Sequence, residues 1–134
     1  MESEPILREN LDQLFSDAAS GFVKATLRLA PMLRDVRLIV PVRRRPLPGE
    51  PLDLLMMRKS DGSLFLPVFT GQGEFGRWKL AGPHGTLPAL NLFQEALTGP
   101  FALVVVNPAG PRRSELNRQI IGTLVSLAHS GSDH

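Results

Sequence analysis

Gly71-Gln72-Gly73-Glu74-Phe75-Gly76 fits the pattern G-x-G-x-x-G directly after an apolar run, and loops of that kind can cradle a pyrophosphate. That chemistry needs the third glycine inside a long helix and an acid about 20 residues on, ending the next strand. Here Gly82-Pro83 breaks the chain soon after Gly76, and Glu95, near the right distance, lies in a helical pattern. The stretch therefore reads as a turn, and no cofactor is expected. The terminal His129-Ser130-Gly131-Ser132-Asp133-His134 holds the residue types of a hydrolase triad. A triad needs a rigid scaffold to align nucleophile, base and carboxylate, which a chain end does not supply, and no G-x-S-x-G elbow occurs elsewhere. His84 stands alone, without the paired histidines of a metal motif, so no metal is expected. Glu50 and Asp53 flank a proline-rich loop and read as solvated carboxylates. No catalytic residue is assigned, and the chain is not expected to be an enzyme.

Three places suit binding better than reaction. Arg43-Arg44-Arg45, with Arg37 before it, could dock an acidic partner or contact phosphates. Trp78, the single tryptophan, sits between Arg77 and Lys79. It reads as a semi-buried anchor, with an interface contact as the alternative. Asn107-Pro108 forms a turn after a buried strand, where open α/β sheets tend to hold ligands. If Ser114 caps the next helix, its free N–H groups together with Arg112 and Arg113 could receive an anion. Turn chemistry alone also explains Asn107.

The elements that must position these residues follow from periodicity. Ser3 caps a first helix with Leu7, Leu11, Leu14, Phe15 and Ala18 at helical spacing, and Pro5 in its first turn. Ser20 caps a second through Val23, Leu27 and Ala30, which Pro31 ends or kinks. Val36 to Val42 reads as a strand, and Arg43 to Pro51 as an exposed loop. Leu52 to Lys59 and Ser63 to Phe69 read as a hairpin around Asp61-Gly62. Pro67, lacking an N–H, belongs at an edge or an end. A short helical turn, Glu74 to Leu80, follows around Trp78, and Gly82 to Gly85 breaks the chain. Leu90, Phe93 and Leu97 mark a helix, and Phe101 to Val106 a strand buried on both faces. Ser114 opens a last helix with Leu116, Ile120, Leu124 and Leu127 on one side. The long stretch between Phe69 and Phe101 permits a crossover that makes the last strand parallel to a neighbour. The expected fold is α+β (mixed α/β). It is a single domain over residues 1–129, with a roughly four-stranded mixed sheet packed by about four helices, and 130–134 form a flexible tail.

The 134 residues carry 15 Lys and Arg against 13 Asp and Glu, a formal net charge of +2. The sequence pI of about 9.7 overstates this, because with no Tyr or Cys almost nothing titrates until the lysines do. The charge is instead segregated. Glu2, Glu4, Glu9, Asp12 and Asp17 against Arg8 give residues 1–17 a net −4. Arg34, Arg37, Arg43, Arg44 and Arg45 against Asp35 give residues 34–45 a net +4. Acids stand where a signal peptide would carry lysines, and no apolar run approaches the ~20 residues of a membrane span. A cytoplasmic location is expected, with no membrane contact.

The order of several short blocks is itself informative. Leu66-Pro67-Val68-Phe69-Thr70, then Glu74-Phe75 and Trp78, then Leu92-Phe93-Gln94-Glu95-Ala96, then Val105-Val106-Asn107-Pro108-Ala109-Gly110 follow a leading helical region and a hairpin. Over residues 5–127 this resembles the SseB protein N-terminal domain family, named for the enhanced-serine-sensitivity protein B. The resemblance implies a bacterial protein without an established enzymatic activity. It implies nothing of the further C-terminal domain of longer members.

A non-catalytic protein–protein interaction module is therefore the leading expectation. Its partner would be an acidic protein or a second copy, the acidic helix of one molecule meeting the arginine loop of another in a homo-oligomer. The alternative is nucleic-acid or anionic small-ligand binding through the arginine loop or the Asn-Pro turn. Near-zero net charge and the lack of a recognition motif disfavour nucleic acid.

Overall fold

Leu11, Phe15 and Ala18 recur at intervals of three and four, and the chain around them is helix α1 (Ser3–Ala19). A computed structural model describes residues 3–78 and 82–131, with side chains from 11 to 78 and from 82 to 130. Leu11, Phe15 and Ala18 are buried as expected, and Phe15 meets Phe93 edge-on at 6.3 Å. Leu7 and the acids Glu2, Glu4 and Glu9 lie outside the described side chains. Gly21 ends the helix at φ 93, a left-handed conformation that costs glycine no Cβ clash. Helix α2 (Val23–Leu29) then starts from Phe22 with no side-chain cap, so Ser20 does not cap it. Pro31 acts as expected: the chain tightens into a 3-10 turn at Ala30–Met32, with the proline at its start.

Strand β1 (Arg37–Pro41) leads into the proline loop. The hairpin forms as β2 (Met57–Arg58) and β3 (Leu64–Val68), antiparallel, with Gly62 at φ 92. Asp61 Oδ1 accepts from Ser63 N at 2.9 Å and from Ser63 Oγ at 2.6 Å, fixing the turn. The first arm is shorter than the expected Leu52 to Lys59, because its opening residues bond elsewhere. Leu55 N donates to Pro41 O, and Arg43 N to Asp53 O, drawing that segment to the end of β1. β5 (Leu103–Val106) pairs with β3 in parallel, from Phe65 opposite Leu103 to Val68 opposite Val106. The crossover makes β5 parallel to β3, and Val104, Val105 and Val106 are fully buried. Pro67 lies beyond the pairing with β2 and before an antiparallel bridge from Phe69 to Ile39. Its missing N–H falls in that gap.

Two strands were not expected. β4 (His84–Pro88) pairs with β1 where Gly82 to Gly85 was read as a break. His-Gly-Thr-Leu-Pro has poor strand propensity, and pairing on one side alone tolerates it. β6 (Ser114–Asn117) pairs with β5 where a helix start was read. Ser114 is therefore a buried strand residue and not a cap. The cap is Asn117, whose Oδ1 accepts from Ile120 N at 2.9 Å. The last helix, α5, runs Arg118–Gly131.

With α3 (Gln72–Arg77) and α4 (Ala89–Thr98), five α-helices are present among the described residues. A four-stranded mixed sheet, ordered β2-β3-β5-β6, stands beside the two-stranded β1-β4 ribbon. This is an α+β fold. Leu66, Val68, Val104, Val106 and Leu116 share the main core with Phe15, Leu29, Phe93 and Leu124 from the helices. Arg118 locks α4 to α5: its guanidinium donates to Ala96 O at 3.0 Å and Phe101 O at 2.9 Å, and also to Leu97 O. A cation thereby satisfies carbonyls at the end of α4 that no further helical turn can reach.

Candidate functional site

β3 and β5 run parallel, so their carboxyl ends lie side by side, and Asn107 stands at that corner. It is 1% exposed, with φ 54. Its Oδ1 accepts from Thr70 N at 3.0 Å, while Nδ2 donates to Thr70 Oγ1 at 3.1 Å and Asp12 Oδ1 at 3.2 Å. One amide thus fastens β3, β5 and α1, with its polar atoms engaged inside the chain. Arg113 donates to Glu115 Oε2 at 2.8 Å. The helix that was to present free N–H groups beside Arg112, Arg113 and Ser114 starts at Arg118 instead. The sequence-predicted anion site is therefore not assembled around a helix start.

Against the same turn lies Glu74. Its Oε1 is buried without a hydrogen-bond partner, and Oε2 is 3.9 Å from Arg77 Nε. A Cβ at Gly110 would collide with that Oε1. The glycine pattern starting at Gly71 opens a helix of only six residues, ending at Arg77, too short for a dinucleotide loop. Phe69 and Trp78 rings stand 5.3 Å apart, and Phe75 packs on His84 at 4.5 Å. Trp78 is half-buried in this aromatic group. His129 and Ser130 belong to α5, with His129 Nε2 at 2.8 Å from Gln94 Nε2. Residues 132–134 lie outside the described residues, and no group of three metal-ligating side chains occurs among those described.

The arginines divide. Arg37 donates to Thr86 O at 3.1 Å, across the β1-β4 ribbon. Arg44 meets Glu50 Oε1 at 3.2 Å and Asp53 Oδ2 at 4.0 Å, so the two carboxylates make surface ion pairs with one arginine. Glu50 also accepts from Leu47 N at 2.9 Å and holds the loop shut. Arg43 and Arg45 are exposed, with no side-chain bond among the described residues, beside an exposed Leu47.

The largest departure from expectation is on α2. Val23, Leu27 and Ala30 defined it, yet only Ala30 is buried; Val23 is 69% and Leu27 55% exposed. The inward face is Ala25 and Leu29. Phe22, 60% exposed, extends the outward stripe. α5 shows the same displacement: Ile121, Leu124, Val125 and Ala128 are buried, while the expected Ile120 and Leu127 are half-buried. Between α2 and α5 runs a groove of about 630 Å³ with Val23, Leu27, Ile120 and Leu127 on its walls and no charged residue lining it.

A family model described as SseB protein N-terminal domain matches residues 11–123. The chain belongs to that family. No curated protein sequence and no solved structure matches it. In this SseB domain the Leu66 to Thr70 block is β3 with its corner, and the Val105 to Gly110 block is β5 with its turn. The bonds between Thr70 and Asn107 join the two blocks. Those family blocks therefore build the scaffold's central corner, whereas the exposed apolar stripe belongs to α2. The signal for that stripe was present: α2 carries apolar residues on two faces, and a seven-residue helix cannot bury both against one core.

Proposed function

We propose that this SseB-family domain is a non-catalytic protein-interaction module, docking a partner protein through the outward face of α2. The observation that carries the reading is the contiguous exposure of Phe22, Val23 and Leu27 on one short helix and its N-cap residue. Large apolar side chains gathered on a surface mark interaction sites far more often than scattered ones do. Exchange of such residues for charged ones removes binding while leaving the core intact. The test is quantitative affinity capture from the native cell with wild type and Leu27→Glu compared at equal folded protein. A discrete set of proteins lost in the variant is the expected result. Identical captured sets, or a loss matched instead by Arg43→Ala/Arg45→Ala, would move the function away from α2.

A further inference from the structure

Resting on that reading, we infer that the α2–α5 groove takes an amphipathic helix with an acidic flank, contributed by a different protein. The side walls of the groove are two neighbouring helices, α2 and α5, and the end of α1 with its turn, Ala18 to Gly21, closes one end. A third helix laid between such walls completes a small bundle. Apolar residues at helical spacing on the incoming helix would meet Val23 and Leu27 on one side and Ile120 and Leu127 on the other.

The two rims differ in charge, and that difference fixes the partner's chemistry. One position along from Val23 and Leu27, about 100° around the helix, stand Lys24 and Arg28. Both are exposed and make no ion pair among the described residues. They line a second groove on the far side of α2, of about 410 Å³, together with Asp17, so this rim carries two cations against one acid and stays positive. On the α5 rim the exposed residues are Gln119 and Thr123, which are uncharged. An incoming helix therefore gains from acids on the flank that crosses α2 and needs none on the flank beside α5. A second copy of this chain fits less well, because a two-fold pairing of antiparallel α2 helices sets Lys24 and Arg28 against their own counterparts. A bilayer fits less well too. The half-buried Ile120 and Leu127 lie recessed between two ridges, where a projecting side chain reaches and a flat interface does not.

The probes are three designed helical peptides with the same leucine stripe and either Glu, Gln or Lys on one flank, titrated by fluorescence anisotropy at low and high salt. The Glu peptide should bind saturably and about tenfold more tightly than the Lys peptide, the scale of two exposed ion pairs replaced by repulsions. The preference should shrink with salt, reverse in Lys24→Glu/Arg28→Glu, and all binding should vanish in Leu27→Glu. Circular dichroism confirms that each variant is folded. No binding by any peptide overturns the inference, as does binding indifferent to the charge reversal or to Leu27→Glu. Dimerisation or association with anionic vesicles that is lost in Leu27→Glu, in place of peptide binding, would overturn it in favour of those occupants. If these arms fail while capture from cells still depends on Leu27, the partner chemistry is wrong and the interaction function stands. If capture is also indifferent, both fail.

Discussion

Asn107 adopts a backbone conformation that few non-glycine residues hold, and its side chain accounts for why it does so. The amide bonds to Thr70 and Asp12 are made in a site that is 1% exposed. In Asn107→Ala, Thr70 N–H loses its acceptor and the left-handed backbone loses its compensation. A loss of about 2–4 kcal/mol in urea denaturation is expected. Gly110 provides a second test at the same corner. Gly110→Ala should cost no more than about 1 kcal/mol, because the atom its Cβ meets, Glu74 Oε1, is the free end of a flexible side chain that can swing aside. Combining it with Glu74→Ala should recover most of that loss, since the clash needs both partners. The Asn-Pro turn was legible from residue types alone. The third strut was not: Asp12 reaches Asn107 from 95 residues away, and no local pattern encodes such a contact.

The elements show where periodicity succeeds and where it misleads. α1 was legible because one apolar stripe stands opposite polar residues, whereas α2 offers two stripes and only packing chooses between them. Leu29 is fully buried and Leu27 is 55% exposed. Leu29→Ala should therefore cost about 2–5 kcal/mol, while Leu27→Ala stays within about 0.5 kcal/mol, as thermal or urea unfolding can establish. β4 and β6 were hidden for different reasons: β4 is rich in glycine and proline, and β6 imitates a capped helix through Ser114. β6 also carries a pH-sensitive clasp. Bonds from Arg113 and then Lys59 to the ionised Glu115 hold its carboxyl below the ordinary value of 4.5. A lowered folded pKa means this stabilisation is complete above the unfolded value and is lost as pH falls through the folded one. Glu115→Gln should therefore be less stable than wild type near neutrality. The two should converge in acid, by denaturation at about pH 7 and about pH 3.

Across the whole molecule, the segregated charges read from the sequence survive only in part as available charges. Of the five arginines of residues 34–45, Arg37 and Arg44 are held by neighbours, and Arg34, Arg43 and Arg45 stay exposed. Among the acids of α1, Asp12 is bound by Asn107 and Asp17 by Gln13. The family blocks, meanwhile, account for a scaffold that joins two parallel strand ends. Among the described residues, the adjacent exposed apolar side chains Phe22, Val23 and Leu27 lie on α2 and its N-cap, with the groove toward α5 beside them. The most direct measurement places a photo-crosslinking amino acid at Leu27 in the native cell, with Ser126 on the exposed side of α5 as the control. The account predicts a discrete protein adduct from position 27 that is absent from position 126. Indistinguishable products from the two positions would contradict it.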